Sequence, residues 1–204
     1  MYSVDSTTSP ESVVRNKIPG RKQPQHSQLS SSAKLAYLFQ NPDLVRAEAC
    51  RRSFFTFVKE FWSEIIPEEP VYNWHIPYLC RELENCFRSV VNRRPKEYDL
   101  IINIPPGTTK STLCTVMFPA WCWIARNPEN PGQTGADLRF MTGSYSSSLS
   151  MEHAELSRDM IWSDKWKRYF PDLEIRGDKA QRSNFKNNHM GTRFSTSVGS
   201  NSLS

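Results

Sequence analysis

The chain has 204 residues, with 26 lysines and arginines against 21 aspartates and glutamates, a net charge of +5 and a pI of about 9.0. This length fits one domain with a core, or a domain with a tail, and the mild basic excess suits an anionic partner without specifying one. Five cysteines without a CxxC pair argue against a zinc knuckle or a redox dithiol, so we expect buried thiols in a reducing compartment. No apolar run reaches the roughly 20 residues of a membrane span, and no signal-peptide core is evident. We therefore expect a soluble intracellular protein.

The N-terminal segment is rich in Ser, Thr, Pro, Gln and charge and has few apolar side chains. Because such a segment buries too little apolar surface to offset its ordering entropy, we expect a disordered tail over residues 1–40 and a folded domain over 41–204. The basic pieces VVRNK and GRKQ are available to DNA or a protein partner, although a merely solvated tail is the favoured interpretation.

Two amphipathic helices are predicted next, because apolar residues recur at three- and four-residue steps. The first is DLVRAEACRRSFFTFVKEFWSEII, which PEEP ends, and its buried stripe should contain Leu44, Ala47, Phe54, Phe57, Val58, Phe61 and Ile65. The second is NWHIPYLCRELENCFRSVV, with Asn73 as its N-cap and with Leu79, Leu83, Phe87 and Val90 buried.

The rest of the chain alternates between strand-like and helix-like segments, which indicates an α/β fold. YDLIINI (98–104) has the apolar, β-branched composition of a central strand that is buried on both faces of a parallel sheet. The following segment predicts a helix that Pro119 ends or kinks. Further elements are a strand in LRFMTGSYS, a helix over residues 147–162, a short helix in DKWKRYF and a hairpin in SNFKNNHMGTRFSTSVG.

The segment NIPPGTTKST (103–112) connects the predicted central strand to the helix that follows it. A strand, a short loop, Lys-Ser and a helix form a P-loop, in which Lys110 reaches the β/γ phosphates, Ser111 holds Mg²⁺ and Thr112 offers a further N–H. The motif GxxxxGK[ST] asks for glycine where this chain has Ile104 and Thr109, so Thr109 must take a negative-φ route or carry strain. On this pattern alone, a nucleotide site and a turn whose Ser and Thr residues cap the helix are equally open.

Several longer motifs resemble the ATPase domain of tailed-phage terminase large subunits, and they occur in the family's order over roughly residues 50–204. The double proline, the deviant phosphate loop and FPAW lie in LIINIPPGTTKSTLCTVMFPAWCWIARNP. The other matching segments are WHIPYLCRELE, MTGSYSSSLS, AELSRDMIWSDKWKRYFP and GTRFSTSVGS.

This resemblance implies an ASCE-type P-loop NTPase with a three-layer α/β/α core, incomplete here, preceded by N-terminal helices. It implies ATP and Mg²⁺ as cofactors, Lys110 as the phosphate lysine, Ser111 as the Mg²⁺ ligand, and an approach of Trp74 and His75 to adenine, where packing in the core is the alternative. The implied nucleotide-binding residues are Gly107, Thr108, Thr109, Lys110, Ser111 and Thr112, and the implied coupling motif is Ser144 and Tyr145.

The implied activity is ATP-driven translocation of viral DNA into a procapsid in the host cytoplasm, and full-length relatives also cut DNA. The implied partners are double-stranded viral DNA, the terminase small subunit, the portal protein and further copies in a ring, with no membrane. Relatives often have Arg-His-Gly where this chain has Gly107, Thr108 and Thr109, so another arginine or a neighbouring subunit would supply that charge.

The paired acids of a Walker B strand and the RNase H-like nuclease domain of relatives have no counterpart in these 204 residues. We therefore expect the N-terminal ATPase part only, with ATP hydrolysis left open. The alternatives are a non-catalytic remnant that binds DNA or a packaging partner, and another P-loop NTPase, against which FPAW and the Ser-Tyr strand argue.

Overall fold

The structure, a computed structural model, describes residues 30–177 and 184–197 and shows a mixed α/β protein. The chain divides into two units, Met1–Tyr37 and Leu38–Ser204. In chain order the elements are α1 (Ser31–Gln40), α2 (Pro42–Arg52), α3 (Phe54–Phe61), a 3₁₀ turn (Trp62–Glu64), α4 (His75–Val91), a π-helical turn (Thr112–Met117), α5 (Phe118–Ile124), β1 (Arg139–Ser144), α6 (Ser147–Trp162), α7 (Asp164–Tyr169), β2 (Asn184–Lys186) and β3 (Thr192–Ser197).

Helix α1 lies within the range that the composition predicts as a disordered tail. Its 10 residues, Ser31–Gln40, are helical. Residues 1–29, which include VVRNK and GRKQ, lie outside the described residues. The prediction for that part of the tail therefore stays a prediction.

The single long helix predicted from residue 43 is wrong, because the chain breaks it at Ser53. That residue is extended, with φ −138° and ψ 122°, and its hydroxyl accepts a hydrogen bond from the amide of Thr56 at 3.3 Å. Ser53 thus ends α2 and caps α3, as serine does at helix N-termini. Of the predicted stripe, Ala47 is buried, whereas Leu44 is 41% exposed.

Helix α4 confirms the second predicted helix, with two corrections at its ends. It begins at His75, and the carboxamide of Asn73 accepts the amide of Trp74 at 2.7 Å instead of capping the helix from the N-cap position. At the other end Val90 is 47% exposed and Val91 is buried in its place. The rest of the predicted stripe, Leu79, Leu83 and Phe87, is buried.

The central strand predicted over residues 98–104 is absent, and the segment has no regular secondary structure. Ile101, expected to be buried on a sheet face, is 87% exposed. In the part of the chain that the structure describes, no strand pairs with this segment. Apolar composition makes a strand only when a neighbour accepts its backbone hydrogen bonds, and here that condition fails.

The sheet has three strands in the order β1–β3–β2. β1 pairs in parallel with β3, from Arg139 opposite Thr192 to Ser144 opposite Ser197, and β2 pairs antiparallel with β3. The predicted strand in LRFMTGSYS, the helix over 147–162, the short helix in DKWKRYF and the hairpin are all confirmed. Pro119 stands in the first turn of α5, just after the helix changes from π to α geometry, and it does not end the helix, which continues to Ile124.

Helices cover one face of this sheet. Rings of Phe140 and Phe185 on that face contact Trp123 of α5 at 6.4 and 5.9 Å between centroids. On the opposite face of β1, Met141 is 65% exposed, with Arg139 and Gly143 also exposed. Two layers, helices and a sheet, are therefore what the described residues show.

An aromatic cluster forms the centre of the core between α3, α5 and α7. Phe57 and Phe61 stack at 4.7 Å, and Trp166 meets Phe170 edge-on at 4.9 Å. Aromatic pairs at these separations contribute about 0.5–1.5 kcal/mol beyond the burial of their area. The Glu60 carboxylate closes the edge of the cluster, where it accepts the Tyr169 hydroxyl at 2.8 Å and pairs with Lys165 at 3.2 Å.

All five cysteines are free, which confirms that none pairs in a disulfide. Burial raises the pKa of Cys50 and of Cys80 to about 12, so both remain protonated thiols that act as small apolar residues. Among the helices of the described residues, none is long and apolar enough to span a membrane.

One buried side chain lacks the partners that its charge requires. The Arg193 side chain on β3 is completely buried, and neither its Nε nor its Nη1 atom has a hydrogen-bond partner. Burial alone lowers its pKa to about 9, and in the described residues no carboxylate forms an ion pair with it. A buried, unpaired cation destabilises a fold.

Trp166→Ala tests the aromatic cluster. Trp166 is fully buried against three phenylalanine rings, so its truncation should lower the free energy of unfolding by about 3–5 kcal/mol in a urea titration. Trp74→Ala is the matched control, because Trp74 is 76% exposed and its loss should change stability by no more than about 0.5 kcal/mol. Similar losses from the two variants would contradict this description of the core.

Arg193→Met tests the cost of the buried charge. Near neutral pH the free energy of unfolding of the variant should exceed that of the parent by about 1–4 kcal/mol, because an apolar side chain replaces an unpaired guanidinium. Since the pKa of Arg193 is lowered in the folded state, the unfolded state binds more protons above about pH 9, and the stability contributed by this residue rises there with pH. The advantage of the variant should therefore shrink between pH 8 and about pH 10. The prediction is contradicted if Arg193→Met is less stable than the parent and if the difference between the two does not change between pH 8 and about pH 10.

Candidate functional site

The loop over residues 105–112 connects the irregular segment 98–104 to the helical run that begins at Lys110. That run passes through the π-helical turn Thr112–Met117 into α5. Single π turns inside helices are frequent at functional sites. The predicted phosphate loop requires a strand before the bend, and the structure has none there, whereas the bend, Lys-Ser and the helix follow in the predicted order.

Two residues of the bend adopt positive φ. Gly107 has φ +77° and Thr109 has φ +64°. For Gly107 this conformation is free of strain, whereas a β-branched residue in the left-handed region is a true outlier that costs on the order of 1–2 kcal/mol. The sequence left two backbone conformations open for Thr109, one with negative φ and one that is strained, and the structure shows the strained one. Strain of this kind persists where a particular backbone shape is held for a purpose.

The Lys110 ammonium lies over the bend. Its Nζ atom donates to the carbonyl of Ile104 at 3.1 Å and to that of Pro105 at 3.4 Å. The two threonine hydroxyls also form hydrogen bonds within the bend. Thr108 donates to the Pro105 carbonyl and Thr109 to the Thr108 carbonyl, both at 2.6 Å. The carbonyls are thus occupied by side chains of the same loop.

The amides of the bend are left available by this arrangement. The first backbone amide that closes onto the loop is that of Leu113, which donates to the Thr109 carbonyl at 3.0 Å. Residues 106–107 form a turn, and within the described ranges the amides of residues 109–111 donate no loop or turn hydrogen bond. Consecutive N–H groups without a partner, next to a positive-φ bend and a helix start, are the groups from which anion-binding nests are built.

Ser111 is exposed at the start of the helix and directly follows Lys110, as the magnesium-binding hydroxyl of a P-loop follows its lysine. Its hydroxyl is a candidate Mg²⁺ ligand that fits the predicted role by type and position. In the region that the structure covers, no group of three His, Cys, Asp or Glu side chains forms a metal site. A magnesium ion here would therefore depend on phosphate oxygens and water for its other ligands.

The Lys110 charge also reaches the next turn of the helix. Burial raises the pKa of the Cys114 thiol to about 11, and the nearby ammonium of Lys110 acts in the opposite direction. The thiol nevertheless stays protonated at neutral pH. Cys114 is a packing residue here and not a nucleophile.

Two tryptophans of α5 fix the helix that carries the loop. The Trp121 indole donates to the Cys50 carbonyl at 2.8 Å, and the Trp123 indole donates to the Leu138 carbonyl at 2.9 Å. These bonds tie α5 to the end of α2 on one side and to the residue before β1 on the other. The position of the bend is thereby set by the core.

Trp74 and His75, predicted to approach adenine, lie at the start of α4. Trp74 is 76% exposed and contacts the His75 ring edge-on at 6.2 Å, which excludes the alternative of core packing for Trp74. His75 is half-buried, and its Nε2 atom has no hydrogen-bond partner. Among the described residues, no hydrogen bond, ion pair or ring contact joins either residue to the loop.

Ser144 and Tyr145, the predicted coupling motif, occur where β1 ends. Ser144 is the last residue of the strand and lies opposite Ser197, while Tyr145 is 92% exposed. The next residue, Ser146, caps α6 by accepting the Leu149 amide at 3.5 Å. The structure shows no direct contact from this motif to the loop within the described ranges, so its role in coupling stays a prediction.

A surface cavity of about 270 Å³ lies elsewhere, and no loop residue lines it. Its cations are paired: Arg94 forms a two-pronged ion pair with Glu129 at 2.7 and 3.1 Å, and Lys96 lies 2.6 Å from Asp99. Such self-neutralised charges offer little to an anion. The loop, where the Lys110 ammonium has no carboxylate partner among the described residues, has the stronger chemical case.

Sequence reasoning missed Arg193. In GTRFSTS the alternation places Phe194 on the opposite face from Arg193, and a buried Phe194 is the natural choice. The structure instead buries Arg193 completely and leaves Phe194 half-buried. No signal in a single strand reveals which face the helices will cover, because that depends on Phe140, Phe185 and α5.

No family model, curated protein or solved structure matches this chain.

Thr109→Gly tests the strained bend. Glycine adopts φ +64° freely, so the relief of about 1–2 kcal/mol should offset its entropic cost of about 0.5–1 kcal/mol, and the variant should be as stable as the parent or more so.

Thr108→Gly is the matched control, because it also removes one threonine hydroxyl that bonds within the loop, at a residue without positive φ. We expect it to be less stable than Thr109→Gly by about 1 kcal/mol or more in urea unfolding. Equal losses from the two glycine substitutions would mean that Thr109 carries no strain.

Proposed function

We propose that residues 105–112 bind the polyphosphate of ATP and that the chain is the ATP-binding part of a DNA-packaging motor of the terminase type. The observation that carries the proposal is the positive-φ bend at Gly107 and Thr109 with its amides unused and an ammonium above it. A turn that only caps a helix has no need of a β-branched residue in a strained conformation.

The Lys110 contacts describe the resting state of such a loop. Its ammonium makes two long hydrogen bonds, of 3.1 and 3.4 Å, to neutral carbonyls. A phosphate oxygen offers a charged acceptor in their place, and charge-assisted hydrogen bonds are roughly twice as strong as neutral ones. We therefore expect Lys110 to leave the carbonyls of Ile104 and Pro105 when phosphate enters the cradle.

Magnesium, when bound with ATP, would neutralise phosphate charge, and Ser111 is the residue of this chain that would hold it. No acidic side chain of the described residues hydrogen-bonds to Ser111 or Lys110, so none is in place to orient an attacking water molecule. The described residues thus support nucleotide binding more strongly than hydrolysis. Turnover would require an acid brought to the site from elsewhere.

The three-layer P-loop core is part of the same proposal. Its support is the parallel pairing of β1 and β3 with α6 following β1, which is the type of unit from which such cores are built. The unpaired segment 98–104 and the open face of β1 are the features that depart from it. The roles of double-stranded viral DNA, the small subunit, the portal protein and a ring of copies rest on the sequence resemblance and the basic charge of the chain.

Lys110→Ala provides the direct test. Binding of a fluorescent non-hydrolysable ATP analogue should weaken about tenfold or more, because one charge-assisted contact is lost. Lys96→Ala is the control, because Lys96 is an exposed lysine that pairs with Asp99 and does not contact the loop. The affinity of this variant for the ATP analogue should equal that of the parent.

Ser111→Ala in the same assay should retain binding without Mg²⁺ and lose the added affinity that Mg²⁺ gives to the parent chain. Equal affinity of the parent and Lys110→Ala removes the phosphate-loop proposal. Binding without hydrolysis by the parent favours the non-catalytic alternative over an active motor.

A further inference from the structure

We propose that Arg193 is the anchor of a second anion site, which takes a small oxyanion, phosphate or carboxylate, between β3 and the N-terminal half of α6. This site is separate from the loop over residues 105–112 and does not depend on the function proposed for that loop.

The guanidinium of Arg193 is built into the core without the acceptors that it needs. Its one hydrogen bond runs from Nη2 to the carbonyl of His153 on α6, at 3.4 Å, while Nε and Nη1 have none. The guanidinium also lies over the ring of Phe185, whose centroid is 6.0 Å from Cζ. Three unused N–H directions in a completely buried side chain are a site for an acceptor that is not among the described residues.

The surroundings of Arg193 suit an oxyanion. Thr142 and Ser195 lie one step further along the same face of the sheet, where their hydroxyls hydrogen-bond to each other at 2.9 Å. Either hydroxyl is able to turn and donate to an anion. In the residues that the structure covers, no carboxylate competes for the guanidinium, which is planar and matches two oxygens of a carboxylate or phosphate at once.

Helix α6 offers a way in. In its first two turns only Ser150 and Ala154 are buried, whereas Ser147, Leu149 and Met151 are exposed. Little apolar area therefore holds this half of the helix to the sheet, and such segments open locally at small cost. His153, on this half of the helix, is half-buried, and its backbone carbonyl accepts the Arg193 hydrogen bond.

His153 also supplies a spectroscopic readout of the site. Burial has the largest effect on the pKa of this imidazole and lowers it. The charge of Glu152 raises the pKa, and the charge of Arg193 lowers it. An anion bound at Arg193 cancels that repulsion, so the pKa of His153 should rise when the site fills. A purely structural role for Arg193 gives no such response.

The experiment is an NMR titration of the His153 imidazole in the full chain, with inorganic phosphate in one arm and acetate in the other, against chloride at matched ionic strength. We expect phosphate to raise the pKa of His153 saturably. If acetate does so at lower concentration, the ligand is a carboxylate. The His153 resonance is identified by its loss in His153→Gln.

Three variants separate the site from other anion effects. Arg193→Met should raise the pKa of His153 before any anion is added and should remove the phosphate response. Arg139→Met is the control, an exposed arginine of the same sheet, and should respond like the parent. Lys110→Ala should also respond like the parent, which shows that phosphate bound at the loop is not the cause.

Two results overturn the proposal: a pKa of His153 that neither phosphate nor acetate moves beyond the chloride control, or an equal anion response in Arg193→Met and the parent. Where Arg193→Met does not fold, Arg193→Lys takes its place. It keeps the charge without the planar fork and should weaken the phosphate response about tenfold. If Lys110→Ala binds the ATP analogue as tightly as the parent does, the loop proposal fails, but the anion response at Arg193 is still expected because the two sites are separate.

Discussion

The fold depends on buried indoles that donate to backbone carbonyls. Trp62 donates to the Glu68 carbonyl at 2.9 Å, and Trp121, Trp123 and Trp166 donate to the carbonyls of Cys50, Leu138 and Leu173 at 2.8, 2.9 and 3.2 Å. Each bond satisfies a backbone carbonyl while the ring fills the core. Because Trp121 and Trp123 are two residues apart on α5, that helix is tied at once to α2 and to the start of β1. No other helix of the described residues is joined in this way to elements on both sides.

This attachment explains how the bend before α5 keeps an unfavourable shape. A threonine at φ +64° would relax if the helix behind it were free to shift. The π-helical turn Thr112–Met117 absorbs the mismatch between the anchored helix and the bend, and Pro119 at the start of α5 removes one amide that would otherwise seek a partner. The available amides, the ammonium and the exposed Ser111 hydroxyl are consequences of a loop that the core holds in place.

Local signals in the sequence predicted the elements that depend on local interactions. Serines cap α6 and α7, with Ser146 accepting the Leu149 amide and Ser163 the Trp166 amide, and both helices were predictable from the chain. The break at Ser53 was missed because the apolar spacing continues through it. The expected strand 98–104 failed for the opposite reason, since its composition is right and its partners are absent among the described strands. Within the candidate site, the positions of Gly107 and Lys110 followed from the motif, whereas the ammonium's contacts with the Ile104 and Pro105 carbonyls and the burial of Arg193 depend on tertiary packing that periodicity does not contain.

The outer edge of β1 has a practical consequence for solution work. β1 bonds to β3 along one side, and no other strand of the described residues bonds to the opposite side. Beside this margin Met141 is 65% exposed between the exposed Arg139 and Gly143, and natural sheets usually protect such margins with charge, proline or a bulge. An unpaired strand edge is a place where the strand of one molecule can add to that of another at high concentration. An oligomer size measured at high concentration would then include molecules that associate through the free edge of β1. Such measurements should therefore be repeated over a dilution series.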